Sequence, residues 1–182
     1  MNIVKTDINK AVEAVRAGKI LVCPTDTVYG LLCDASDKKV LARLYKIKKR
    51  SRVKPIPIFV RNIEMAKKLA EISSKQEEYL KKFWPGKVTA VLKKKKGTGT
   101  IGLRIPKHGF VISLLRIVNK PLTGTSANVA GKPAPTRINE AVNQFKAKKY
   151  RPDLVIDAGD LPKNKPSKVI DLTLWPPKIL RS

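Results

Sequence analysis

The sequence predicts an α/β domain in which helices pack against a mixed, twisted sheet. Three observations lead there. Apolar runs of strand length alternate irregularly with stretches of helical periodicity, so the regular strand–helix repeat of an all-parallel sheet is missing. Several strand-like runs are neighbours in sequence, and short turns between them make hairpins and hence antiparallel pairs. The chain has 182 residues, 42% of them hydrophobic, which suits one well-cored domain and not a disordered chain.

The elements follow in order along the chain. Asp7 caps a helix whose apolar positions are Ile8, Ala11, Val12 and Val15, and Gly18 ends it. "KILVCP" reads as a buried strand stopped by Pro24, and "VYGLLC" as a second short strand. Ser36 or Asp37 opens a helix with Val40, Leu44 and Ile47 on one face. "IPIFV" is a strand and "NIEMAKKLAEI" a helix. Ser74 with Glu77 fits a capping box ahead of "EEYLKKF", which "WPG" terminates. "KVTAVLKK" and "IGLRIP" are strands joined through a hairpin tip, "KKKKGTGT". "GFVISLLRIVNK" is a helix, "PLTGTSA" a strand running into a loop, and "TRINEAVNQF" a helix capped by Thr136. "DLVIDAG", "SKVIDL" and "KILRS" are late strands.

Charge and cysteine content bound the function. Lys plus Arg number 39 against 14 Asp plus Glu, a net +25. Such a surface concentrates polyanions, and nucleic acid, nucleotide phosphates or an acidic partner all qualify; a basic proteome produces the same composition without any partner. Cys23 and Cys33 are too few for a disulfide scaffold and read as buried apolar residues. His108, the one histidine, is far from both in sequence, which argues against a zinc site or a serine triad. The N-terminus lacks the apolar core of a signal peptide, and no apolar stretch approaches the roughly 18 residues of a membrane span. The expected compartment is the reducing cytoplasm. No phosphate-binding Gly-rich loop ending in Gly-Lys-Ser/Thr is present.

Three polar stretches carry the chemistry. "CPTDTVYGLLCD" places Thr25, Asp26, Thr27 and Tyr29 where an apolar strand ends, a placement that shapes a ligand pocket. "KIKKRSRVKP" sets Lys48 and Arg50 at the end of a helix, followed by Arg52 and Lys54. Cations in a last turn also simply complement the helix dipole; the functional alternative is a clamp for phosphate or carboxylate. "TSANVAGKP" offers Thr125, Ser126 and Asn128. The Asn128 amide both donates and accepts, as a ribose, a base edge or a turn cap requires.

Together with "FWPGKVTAVL", "IGLRIPKH" and "PSKVIDL", these stretches resemble, in the same order and over nearly the whole chain, the threonylcarbamoyl-AMP synthase family with its YrdC-like domain. The resemblance implies a twisted open mixed sheet with flanking helices around a large basic concave surface. It is to the single-domain form, with residues 1–182 as one domain and no added C-terminal domain. The implied reaction joins L-threonine, bicarbonate and ATP into threonylcarbamoyl-adenylate and pyrophosphate, for N6-threonylcarbamoyladenosine in tRNA. Separate tRNA threonylcarbamoyl transferase proteins would complete the modification.

The resemblance also implies residue roles. Thr25, Thr27 and Tyr29 fall in the segment forming the threonine pocket, and Arg104 on the strand near the substrate, with Thr125 at the head of "TSAN". Lys48 and Arg50 match a Lys-x-Arg pair at the phosphates and carbamate, giving them the catalytic role. Ser126, Asn128, Ser167 and Arg181 match nucleotide-binding positions. Few carboxylates stand near these motifs, so Mg2+ is expected to be held mainly by the ATP phosphates. Three positions depart from the family pattern: Lys54 and Phe59 stand where Asn and His are common, and Lys168 replaces a threonine. A paralogue with another substrate is therefore the first alternative. The second is a module binding double-stranded or ribosomal RNA through its cations, with the lysine run 93–96 as a contributor.

Overall fold

The computed structural model describes residues 1–51 and 53–182. Arg52, one of the cations noted after Lys48, lies outside the described residues. Eleven strands and six helices follow in the order β1 (Asn2–Lys5), α1 (Ile8–Arg16), β2 (Leu21–Cys23), β3 (Gly30–Leu32), α2 (Lys38–Lys48), β4 (Ile58–Phe59), α3 (Ile63–Leu69), α4 (Ser74–Lys81), β5 (Val88–Lys93), β6 (Thr100–Arg104), α5 (Gly109–Val118), β7 (Leu122–Thr123), β8 (Thr125–Ser126), α6 (Ile138–Asn143), β9 (Leu154–Asp157), β10 (Lys168–Asp171) and β11 (Lys178–Arg181).

The fold is mixed α/β, as expected, with its strands in two sheets. One has the order β1-β9-β2-β3-β8, the other β11-β10-β5-β6-β4-β7. Both contain parallel and antiparallel pairs: β2 runs parallel to β9 and antiparallel to β3, and β5 parallel to β10 and antiparallel to β6.

Period-two alternation divides the five-stranded sheet between two cores. Leu21 and Cys23 of β2 join Leu32 and Ile156 under α1 and α5, against Ala11, Val15, Leu114 and Leu115. Val22, Leu31 and Val155 point the other way, onto Leu44 and Ile47 of α2 and Ala141 of α6. The six-stranded sheet is covered on one face only. Val88, Ala90, Leu103 and Ile170 pack against Met65, Ala66 and Leu80 of α3 and α4. Its opposite face carries Thr89 and Arg104 instead, and a pocket opens there.

The segment "PLTGTSA" explains why there are two sheets. Leu122–Thr123 pairs with β4 in the larger sheet, while Thr125–Ser126 pairs with β3 in the smaller. Gly124 is the crossing point, and a Cβ added there would lie 2.4 Å from the Phe59 ring. Only glycine lets the two layers meet that closely.

Three local readings change. β1 pairs in parallel with β9; its exposed, polar-flanked residues gave no strand pattern in sequence. The capping box forms one residue early: Ser73 accepts from the Gln76 amide nitrogen, and the Gln76 side chain accepts from the Ser73 N–H. The Gln76 amide also donates to Leu172 O at 2.7 Å, and this tertiary contact selects Ser73/Gln76 over Ser74/Glu77. Helix α6 starts after Arg137 without a side-chain cap; the Thr136 carbonyl instead accepts from the Leu161 N–H. The predicted caps Asp7 and Asp37 each accept from two backbone N–H groups, and the hairpin tip leaves Lys93–Lys96 exposed.

Candidate functional site

A cavity of about 110 Å³ sits where the open face of the larger sheet meets β3 and β8, lined by Thr25, Thr27, Val28, Gly30, Arg50, Pro57, Phe59, Arg104, Gly124, Thr125, Ser126, Pro166, Ser167 and Arg181. Eight of the eleven sequence-predicted site residues converge here: Thr25, Thr27, Arg50, Arg104, Thr125, Ser126, Ser167 and Arg181. They come from seven separate segments of chain, so the fold, not sequence proximity, assembles the site.

Thr25 Oγ1 donates to Val28 O at 2.6 Å and accepts from the Val28 N–H, a hydroxyl-closed turn that lifts the chain off the end of β2. Its oxygen also lies 3.1 Å from Thr27 Oγ1. The turn delivers Asp26 to Arg104: Asp26 Oδ1 accepts from Arg104 Nη2 at 2.6 Å, and Oδ2 accepts from the Lys107 N–H at 3.0 Å. Both side chains are nearly inaccessible, at 7% and 4%. Arg104 Nε donates to Gly86 O at 2.8 Å, and the guanidinium lies over the Phe59 ring, 5.5 Å from its centroid. Burial lowers the Arg104 pKa, and the Asp26 charge opposes that shift. With Nε and Nη2 engaged, the rest of a fixed planar fork faces the cavity, the geometry that receives a carboxylate.

Two more arginines complete the cationic wall. Arg50 is anchored by its own loop, donating to Lys54 O and Pro55 O. Arg181 reaches the cavity through a register shift in β11. Ile170 pairs with Ile179 but Val169 pairs with Arg181, so Leu180 is one residue extra. This bulge reverses the facing of the strand end: Ile179 borders Tyr79 and Phe83 on the α4 side, and Arg181 enters the cavity. There it donates to Ser167 O at 2.6 Å from Nη2, while Ser167 Oγ is 2.9 Å from Thr89 Oγ1. Burial, then the Arg50 charge, lowers the Arg181 pKa.

Three predicted contact residues stand behind the cavity. Lys48 is 2% exposed. Its Nζ donates to Ser126 O at 2.7 Å, Asn128 O at 3.0 Å and Asn128 Oδ1 at 3.1 Å. Asn128 Oδ1 also accepts from Ser126 Oγ at 2.6 Å, and its Nδ2 donates to Lys132 O. Lys48 and Asn128 thus clasp the loop that presents Ser126, and the helix-end lysine is a buried tie, not a solvated cation. Tyr29 lies in the core beneath α2 and α6; its hydroxyl donates to Gly159 O at 2.6 Å and accepts from the Ala158 N–H. It fixes the start of the segment leading to Pro166 and Ser167. The alternation that puts Gly30 at the cavity turns the neighbouring Tyr29 away from it.

Burial, then the neighbouring Arg50 charge, pushes the Lys48 ammonium down to about 7 from its ordinary 10.5. The unfolded chain therefore holds a proton between those values that the folded chain releases, so stability rises with pH through that window. Lys48→Met is expected to flatten this rise, measured as urea unfolding at a series of pH values. The other lysines contribute equally to both proteins.

Sequence reasoning left out of the site three residues that shape it: Asp26, Thr89 and Phe59. Asp26 carried a signal, as a carboxylate between two threonines at a strand end. Thr89 is the polar residue that breaks the apolar alternation of β5. Phe59 was noted as a departure, and the structure makes it the cavity's apolar wall. Among the described residues no group of three or more His, Cys, Asp or Glu is placed to hold a metal. No carboxylate lines the cavity, and both oxygens of Asp26 are engaged.

Comparisons with known proteins agree with this layout. The Sua5/YciO/YrdC family model, described as telomere recombination, matches residues 13–182. Threonylcarbamoyl-AMP synthase of Pyrococcus abyssi is 36% identical over 183 residues, covering 96% of this chain and 53% of the relative. The chain therefore spans about half the length of that relative. A crystal structure of P. abyssi Sua5 complexed with L-threonine superposes with a TM-score of 0.88 at 34% identity, over 99% of this chain and 56% of the other. Escherichia coli YciO superposes with a TM-score of 0.86 at 28% identity, over 100% of this chain and 94% of the other.

Proposed function

The chain belongs to the Sua5/YciO/YrdC family, and from that premise we propose that it makes threonylcarbamoyl-AMP and pyrophosphate from L-threonine, bicarbonate and ATP, in the cytoplasm, for tRNA modification by separate transferase proteins. One observation carries the reading: Arg50, Arg104 and Arg181 converge with Ser126 and Ser167 on one cavity that no carboxylate lines. Every substrate of this reaction is anionic or bears a carboxylate. The roles of individual residues and the single-domain organisation of residues 1–182 are part of the same proposal.

The threonine carboxylate lies on the free part of the Arg104 fork, with the amino-acid side chain against Thr25, Thr27 and Val28. The amine nitrogen attacks the bicarbonate carbon and water leaves, giving the carbamate. A carbamate oxygen then attacks the α-phosphorus, and the bond to pyrophosphate breaks in line. Arg50 and Arg181 stabilise the charge that gathers on the phosphates, and Ser126 and Ser167 position the nucleotide. Lys48 acts through the loop it ties. A cavity of about 110 Å³ is below the roughly 300–1,000 Å³ of typical small-molecule sites, so the nucleotide extends across its mouth under the segment from Gly159 to Ser167. That cover keeps water from two hydrolysable intermediates. The lining supplies no ligand for Mg2+, which arrives with ATP and is held by the phosphates.

The test is incubation with ATP, bicarbonate and single amino acids, followed by pyrophosphate release. L-Threonine is expected to turn over best. Serine lacks one methyl group against Val28, worth roughly 1–3 kcal/mol, or about 10–200-fold. Equal rates with glycine sink the threonine assignment and favour a paralogue with another substrate.

A second reading rests on the exposed hairpin Lys93–Lys96: weak binding of double-stranded RNA or tRNA without sequence preference. Changing these four lysines to glutamine is expected to lower RNA affinity and its salt dependence, about −0.9 in log–log slope per lost phosphate contact. Pyrophosphate release should be unchanged. Parallel loss of both would place the hairpin in the substrate site.

A further inference from the structure

The outer edge of the six-stranded sheet carries a surface that the proposed chemistry does not use. Five large hydrophobic side chains left in solvent gather there: Phe83 after α4, Leu174 and Trp175 in the last connection, and Ile179 and Leu180 on β11, between 39% and 65% exposed. They form a continuous patch. The Tyr79 ring is 5.2 Å from that of Phe83 and 5.8 Å from that of Trp175, and Tyr79, Phe83 and Ile179 line one shallow cleft. Grouped exposure of this kind marks an interaction site, where scattered exposure would not. β11 is also the last strand of its sheet, hydrogen-bonded to β10 alone. Its other edge offers unpaired backbone N–H and C=O groups.

The charges around the patch select the partner. Lys75 Nζ lies 4.2 Å from the Trp175 ring centroid, Lys168 borders the cleft, and Lys178 is on β11 itself. Glu77 on α4 is already paired with Lys67 and Lys81, which leaves Glu78 as the nearby unpaired carboxylate among the described residues. We propose that this edge docks an acidic protein segment, which adds to β11 as a further strand, seats apolar side chains in the cleft and sets its carboxylates on the lysines. A second copy of this chain does not suit it, because it would bring the same lysines and a net charge of +25 to a like-charged face. The bulge at Leu180 gives the docking a consequence. It sends Ile179 to the patch and Arg181 to the cavity, so a strand that stiffens β11 also fixes a wall of the substrate site.

The experiment titrates the full chain with a synthetic extended peptide alternating valine and glutamate, and with its counterpart alternating valine and lysine. Calorimetry reads affinity, and amide hydrogen exchange reads β11. The glutamate peptide is expected to bind at least about tenfold more tightly than the lysine peptide, to weaken with added salt, and to slow exchange on β11. Ile179→Glu, at a side chain 56% exposed, is expected to weaken it by a further factor of about ten with pyrophosphate release retained. Equal affinity for the two peptides overturns the proposal, as does unchanged exchange on β11 at saturation. So does sedimentation of the peptide-free protein as a dimer that Ile179→Glu dissociates, which would make a second copy the occupant.

Discussion

Arg104→Gln is expected to lose roughly 3–5 kcal/mol of folding stability, because it leaves the Asp26 carboxylate buried without its cation. Synthesis should fall by about two to three orders of magnitude, the usual scale for losing a preorganised donor at a charged centre. The two losses have different causes and can be separated. Asp26 and Arg104 are both almost fully covered, and their bond of 2.6 Å is sheltered from solvent. The double variant Asp26→Asn/Arg104→Gln replaces an ion pair by two neutral amides of similar shape, so it should recover most of the stability and none of the activity. Urea unfolding and pyrophosphate release on the wild type and three variants provide the measurement. A double variant as unstable as Arg104→Gln alone would mean that Arg104 supports the fold through Gly86 and Phe59, and that Asp26 contributes little.

Gly124→Ala is the second large effect. The added Cβ would meet the Phe59 ring at 2.4 Å, at both Cδ1 and Cε1, and the ring has little room to yield. It is 3% exposed and packs with Val111, Leu115 and Leu122. Overpacking of this kind costs roughly 1–3 kcal/mol. The displaced ring moves either toward the core or into the cavity it lines, where it disturbs Arg104. Phe59→Leu in the Gly124→Ala background removes the clashing ring edge and is expected to restore stability. Its effect on KM for the amino acid then reports how much of the substrate wall the ring supplies. Unchanged stability in Gly124→Ala would show that β7 and β8 separate easily at that point.

The sequence discloses helices and buried strands where one period dominates. Leu21–Cys23 and Val88–Lys93 are apolar enough to read directly, and Asp7 and Asp37 cap helices with no competing partner. Legibility stops where a distant contact decides. Ser73 wins the capping box from Ser74 because Gln76 also reaches Leu172. β1 shows no pattern because its strand character comes from pairing with a segment 152 residues later, Asn2 against Leu154. The split of one run into β7 and β8 depends on Gly124 meeting Phe59, which no local signal announces. The site divides in the same way. Polar residues at strand ends point to Thr25, Thr27 and Arg104, yet which side chains face the cavity depends on facing and burial. Tyr29 points into the core, Lys48 and Asn128 tie the loop from behind, and Arg181 faces inward because of one extra residue in β11. The affinity of three arginines for anions is readable in composition; their convergence is a property of the fold.

The central claim is that this cavity joins bicarbonate carbon to an amino acid and then to AMP. Incubation with ATP, L-threonine and carbon-13 bicarbonate, followed by mass detection of the nucleotide product, tests it most directly. The account predicts an adenylate that carries both threonine and the heavy carbon, absent when either is omitted and lost in Arg104→Gln. An adenylate of threonine lacking the heavy carbon, or release of ADP in place of pyrophosphate, would contradict it.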